Sequence, residues 1–178
     1  MTVAAGDIIV DAPAASVDPG AMRSAMGRFA TGVTVVTNVV DGEVHAMTAN
    51  AFMSVSLEPP LVLIALGDKA RMAARLAESD HYGVSILAHS QESIARRFAG
   101  SKHPMPPPQF DWLGGIPVIA GSLLQLTTRI VDRFPAGDHT LFVGRVQQLE
   151  MRDGQPLLFH TGAFKLVQVG VTESLWEV

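Results

Sequence analysis

The run Val33-Thr-Val-Val-Thr-Asn-Val-Val40, followed at once by Asp41-Gly42, constrains this chain more than any other stretch. Seven of its eight residues are β-branched, and such side chains are stiff at χ1 and favour an extended backbone. Asp-Gly supplies the two positive-φ positions of a tight hairpin turn. The chain must therefore fold back on itself, with a second strand over Glu43 to Asn50 lying antiparallel to the first. A doubly wound parallel sheet would need a crossover at this point, and there is no room for one.

The remaining pattern extends this theme. Asp18 is placed to cap a helix and Pro19 suits its first position. Met22, Ala25, Met26 and Phe29 then recur at helical spacing, and Gly32 ends the pattern. Beyond the hairpin, Pro59 and Pro60 are expected to stop ladder pairing. The continuous apolar run from Leu61 to Leu66 predicts a strand covered on both faces. Lys69 to Ser79 has helical character, and Tyr82 to Ala88 reads as a strand. Ser90 is placed to cap a short helix reaching about Phe98. The proline-rich stretch from Gly100 to Gln109 predicts an irregular loop. Strands are expected around Ser122 to Arg133, His139 to Met151 and Gln155 to His160, with Asp153-Gly154 as a hairpin turn between the last two. Phe164 to Val169 predicts a final strand. The sum is a mostly β domain with short inserted helices and antiparallel pairing, which favours a small barrel. Residues 1–18 are expected to form a flexible arm, 19–170 one domain, and 171–178 a tail.

Composition narrows the chemistry. Cysteine is absent from the 178 residues, which excludes disulfides, thiolate nucleophiles and thiolate metal sites; any redox chemistry must belong to a bound cofactor. The net charge is −4 and the 13 Lys and Arg form no basic run, so duplex nucleic acid is not an expected partner. Hydrophobic residues make up 48% and mean hydropathy is +0.27, yet no stretch approaches the roughly 20 apolar residues of a membrane span. The apolar excess points to a subunit interface. Met1 to Pro19 contains no Lys or Arg, a poor signal peptide, and a cytoplasmic location is expected. There is no G-x-G-x-x-G, Walker loop or G-x-S-x-G elbow. The six histidines, at 45, 81, 89, 103, 139 and 160, lack i, i+4 pairing, so no metal site is expected.

Three features carry candidate chemistry. Met47-Thr-Ala-Asn-Ala-Phe-Met-Ser-Val-Ser-Leu-Glu-Pro-Pro60 clusters small and hydroxyl-bearing residues between apolar strands. Such a segment suits close backbone approach to a flat heteroaromatic ring with acceptors at its edge. On composition alone, a strand ending in a polar turn is the simpler account. Ala136-Gly-Asp-His-Thr140 places His139 at the mouth of an apolar strand, where a lone histidine is more often an ordinary turn residue. Lys69 and Arg71 begin one helix, where an anion is favoured; Arg96 and Arg97 end another, complementing its dipole. Each pair reads equally as a solvated face.

Six segments in order resemble the short-chain flavin reductase family, the reductase partners of two-component flavin monooxygenases. They are Ala25-Met-Gly-Arg-Phe-Ala-Thr-Gly-Val-Thr-Val-Val-Thr37, Met47 to Val62, Gly83-Val-Ser-Ile-Leu87, Phe98-Ala-Gly100, Ala136 to Thr140, and Pro156-Leu-Leu158. The resemblance implies an FMN-binding split β-barrel of Greek-key type that forms a homodimer. It implies an enzyme passing hydride from NADH or NADPH to FMN or FAD, with the reduced flavin leaving for a separate monooxygenase. The alternative within the same fold is a flavoprotein that keeps its FMN as an oxidase or electron carrier; a non-enzymatic barrel dimer is the remaining rival. By the resemblance, Thr48, Ala49 and Asn50 line the isoalloxazine, and Met47 belongs to the flavin site. Ser54, Val55 and Ser56 serve its pyrimidine edge and ribityl chain, and Phe98 and Ala99 add to the flavin site. His139 lies where the nicotinamide stacks. Relatives carry Ser and Thr for the flavin phosphate where this chain has Lys69-Ala-Arg-Met72, so that role passes to Lys69 or Arg71 through charge-assisted bonds. Ala46 replaces a glycine common in the family, narrowing backbone freedom before Met47.

Overall fold

The computed structural model describes residues 17–167. The expected arm over most of 1–18, the tail at 171–178 and the end of the last predicted strand lie outside them. The chain runs α1 (Pro19–Met26), β1 (Thr31–Gly32), β2 (Thr34–Val40), β3 (Glu43–Ala49), β4 (Phe52–Leu57) and β5 (Pro60–Gly67). There follow α2 (Arg71–Ala77), β6 (His81–Ile86), a 3-10 turn at His89–Gln91, α3 (Glu92–Phe98), β7 (Phe110–Leu113) and β8 (Ile116–Ile119). Two long strands, β9 (Leu124–Ala136) and β10 (His139–Met151), precede the short β11 (Leu158–His160) and β12 (Ala163–Lys165).

Seven strands form one antiparallel sheet in the order β3-β2-β6-β9-β10-β5-β4. Laid flat, its outer strands would stand about 29 Å apart at ~4.8 Å per strand. They are β3 and β4, joined only by Asn50 and Ala51, a link that spans at most about 11 Å. The sheet must therefore curl into a barrel. Ala65 N donating to Ala51 O at 3.0 Å marks where the link meets β5. The other strands are accessory: β1-β11-β12 and β7-β8 form separate small sheets.

Inside the barrel, Val36, Ile64, Leu66, Tyr82, Val84 and Phe142 pack with Met72, Ala73 and Leu76 of α2. A second cluster, including Val33, Val35, Leu87, Ala95 and Ile119, lies on the opposite face of β2 beneath α3. Coverage on both sides explains why Thr34 to Asn38 are all buried and why this run shows no polar alternation. The Asp41-Gly42 turn is as expected, with φ of 52° and 79° and Val40 opposite Glu43.

Several expectations are corrected. The first helix ends at Met26, capped by Gly27, so Gly27 stops it before Gly32 can. Pro59 and Pro60 do not end pairing; Glu58-Pro59 is the turn of a hairpin in which Leu57 faces Pro60. Pro60 is the first residue of β5, before its pairing with β10 begins at Leu61, a position where a missing donor is tolerated. Residues 61–66 alternate, with Val62, Ile64 and Leu66 buried and Leu61, Leu63 and Ala65 half-buried. Ser90 does not cap the helix to Phe98: α3 is entered through the 3-10 turn, with Gln91 at its cap. Asp153-Gly154 makes no hairpin, because β10 already pairs with β9 and β5, and β11 pairs with β1 and β12. The sequence reading missed the β7-β8 hairpin, which turns at Gly114-Gly115.

Candidate functional site

β5 organises the site because two segments meet its end. Ala51 meets it at Ala65, and His139 faces Gly67 across the β10-β5 ladder. Those positions on β5 are two residues, or about 7 Å, apart. The small-residue link after β3 and the Gly137-Asp138 turn thus share one rim of the barrel. The same strand runs on through Asp68 and Lys69 into α2, bringing the candidate cations to that rim.

His139 is held from two sides. Its Nδ1 lies 2.7 Å from Asp138 Oδ1, with the His139 side chain 46% and the Asp138 side chain 96% exposed. The imidazole packs over Gly67, where a Cβ would make ordinary contact at 3.7 Å from His139 Nε2. The hydrogen bond with His139, then the charge of that ring, holds the Asp138 carboxyl below its ordinary pKa, with Lys69 contributing least. Asp68 straps this turn to the β5-α2 connection. Its N–H donates to Asp138 O at 3.0 Å, and its Oδ1 accepts from Thr140 Oγ1 at 2.9 Å. Asp68 and Thr140 were not singled out from sequence; the Thr after the Gly-Asp-His triplet was the one available signal.

The segment after Met47 divides by side. Met47 packs against the barrel core and Ala49 is part of it. The Thr48 hydroxyl donates to Ala95 O of α3 at 2.7 Å, so it ties strand to helix. Asn50 is exposed at the rim and, with Ala51 and Phe52, lines an apolar groove of about 850 Å³ that Met26, Phe29 and Met53 also border. Ser54 and Val55 are exposed and Ser56 half-buried on β4, the free outer strand, which bulges between Ser54 and Ser56. Neither serine hydroxyl has a hydrogen-bond partner among the described residues, which leaves both available to a ligand.

A second hollow, of about 240 Å³, lies beside β3 between α2 and α3 and is lined by His45, Met47, Ala70, Arg71, Arg75 and Phe98. It brings together three predicted residues, Met47, Arg71 and Phe98. Lys69 is not part of it and instead acts on Asp138; Ala99 is the exposed C-cap of α3. The rim therefore offers small residues and free hydroxyls for a flat polar ring, an oriented imidazole, and cations for a phosphate tail. These features fit a flavin mononucleotide moiety. No helix among the described residues is long and apolar enough to cross a membrane.

Comparison with known proteins agrees with this geometry. An NADH-dependent flavin reductase from a Rhodococcus species is 44% identical over 179 residues, covering 99% of each chain. The reductase subunit HsaB of a flavin-dependent monooxygenase from Rhodococcus jostii is 36% identical, over 92% of this chain and 85% of its own. The solved structure of the flavin reductase PheA2 superposes with a TM-score of 0.84 at 45% identity, covering 86% of this chain and all of that one. Residues 26–168 match the model of the flavin reductase like domain, and the chain belongs to that family.

Proposed function

We propose that this protein is an NADH-dependent flavin reductase that reduces FMN or FAD and releases the product to a separate monooxygenase. The observation that carries the reading is the shared rim, where a strapped histidine faces the end of β5 two residues from the link that bears Asn50. When bound, the flavin supplies the hydride acceptor, taking hydride from nicotinamide C4 at its N5. The chain's own residues bind and orient. Asn50, Ser54 and Ser56 offer hydrogen bonds along the ring edge and ribityl chain, and the short, exposed side chain of Ala51 allows close approach. His139, held by Asp138, positions the nicotinamide. No side chain is required as an acid or base for hydride movement, so catalysis rests on alignment and exclusion of water.

The name borne by the Rhodococcus jostii relative supports a separate oxygenase as recipient. The apolar groove and the exposed Met22, Met26 and Phe29 of the α1 region, 50%, 56% and 75% accessible, support a homodimer in which a second copy covers that face. A cytoplasmic location suits a chain without cysteine.

The test is nicotinamide consumption, followed by absorbance with NADH or NADPH against FMN or FAD. Flavin-dependent oxidation with NADH, and separation of flavin from protein on gel filtration, are expected. An absence of turnover with every pair refutes the reading. Light scattering giving a monomer refutes the dimer.

A further inference from the structure

The hollow beside β3 holds more positive charge than one flavin phosphate needs. Arg71 and Arg75 are one helical turn apart and face the same space. At i, i+4 like charges repel, and neither guanidinium has a hydrogen-bond or ion-pair partner among the described residues. No acidic residue lines the hollow, whose remaining ionisable side chain is His45. Arg71 opens α2, at the end where the helix dipole disfavours a cation. Arg75 sits near the other end but does not cap it, because the guanidinium of Arg133 already bonds Leu76 O and Ser79 O there. β3 is an outer strand of the sheet, so unpaired backbone groups border the hollow as well. Phe98, half-buried, supplies an aromatic side chain at its edge.

We infer that this hollow is a diphosphate subsite that makes FAD the preferred flavin. The inference rests on the flavin-reductase reading and deepens it. Arg71 takes the phosphate next to the ribityl chain. Arg75 and His45 take the adenylate-side phosphate, which FMN lacks. Guanidinium forks suit phosphate oxygens through paired, charge-assisted bonds, and an anion between the two arginines removes their mutual repulsion.

Binding separates this from the alternatives without relying on turnover. The flavin-free protein is titrated with FAD and with FMN, following flavin fluorescence, and ADP is added as a competitor. Wild type is expected to hold FAD more tightly than FMN, and ADP to displace FAD. In Arg75→Gln the ratio of FMN to FAD dissociation constants should fall about tenfold or more, the scale of one lost charge-assisted bond. Arg75→Lys, which keeps the charge but loses the fork, should fall between the two. Circular dichroism confirms the fold; should Arg75→Gln not fold, the lysine variant must still lower the ratio. A wild type holding FMN as tightly as FAD overturns the inference. So does a variant in which both constants rise together, which would place Arg75 on the phosphate common to both flavins, and so does an unchanged ratio. Failure of the reductase reading looks different: no nicotinamide oxidation by wild type, while the FAD preference and its loss remain.

Discussion

Replacing Gly144 with alanine tests how β10 is fitted into the barrel. Gly144 sits on β10 five residues after His139, opposite Val62 of β5 and Ile130 of β9. Its φ is not positive, so the demand is for space. A Cβ there would collide with the Tyr82 hydroxyl and stand 2.7 Å from Thr128 Cβ. Neither neighbour can give easily, because Tyr82 and Thr128 are both 0% exposed. Restoring ordinary contact at about 3.5 Å moves Tyr82 by about an ångström in a close-packed core. That shift breaks the 3.4 Å bond from its hydroxyl to Phe142 O. Burial pushes the Tyr82 pKa well above its ordinary value, so the group cannot escape by ionising. Overpacking costs roughly 1–3 kcal/mol, sometimes more, and an unsatisfied buried hydroxyl about 1–3 kcal/mol. The sum, about 2–6 kcal/mol, corresponds to a melting-temperature loss of roughly 4–24 °C for a chain of this size. Thermal and urea unfolding followed by circular dichroism measure it. Tyr82→Phe in the Gly144→Ala background removes the nearest clashing atom and should recover at least ~1 kcal/mol as a coupling energy. A cost below about 1 kcal/mol, or strict additivity with Tyr82→Phe, would refute the reasoning.

Three further outcomes follow from the site. His139→Ala should slow flavin reduction and raise the Michaelis constant for NADH; wild-type values of both in steady-state assays would remove the histidine from its role. Asp138 should titrate below its ordinary 3.8, so the stabilisation from its His139 contact is complete above that value and is lost as pH falls through the depressed one. A carboxyl-carbon NMR titration reads this, and His139→Ala should return the midpoint upward; a midpoint unmoved by that substitution contradicts the pairing. Thr48→Val loses the 2.7 Å bond to Ala95 O. Because Ala95 O also accepts from Ala99 N, the cost should be only about 1 kcal/mol, read as a small drop in melting temperature.

The parts of the fold legible from sequence are those decided by neighbouring residues. Asp41-Gly42 turns as it does because two adjacent residues adopt positive φ, and no distant contact is needed. Asp153-Gly154 has the same letters and a different fate. A strand has two edges, and β9 and β5 fill both edges of β10, so the chain after Met151 must seek another partner. That competition is invisible in a local window. Gly114-Gly115 is a good turn signal, but its flanks, Phe-Asp-Trp-Leu and Ile-Pro-Val-Ile, include Asp and Pro, which weaken any strand reading.

The candidate site divides along the same line. Asn50, Ser54 and His139 stand in local patterns that, by themselves, read as a polar turn and an ordinary turn histidine; only the ordered segments that resemble the family single them out. Lys69 and Arg71, two positions apart, read as one cationic pair. The fold separates them because one residue precedes the helix and the other begins it. Lys69 remains with the Asp138 turn, while the first turn of α2 carries Arg71 round to the hollow and places Arg75 above it. The partner of Arg71 is therefore four residues downstream. Helical spacing alone cannot say whether such a pair faces solvent or a shared cavity; that depends on Met72, Ala73 and Leu76 being buried. Burying that stripe fixes the rotation of α2, and so decides which arginines can hold a phosphate.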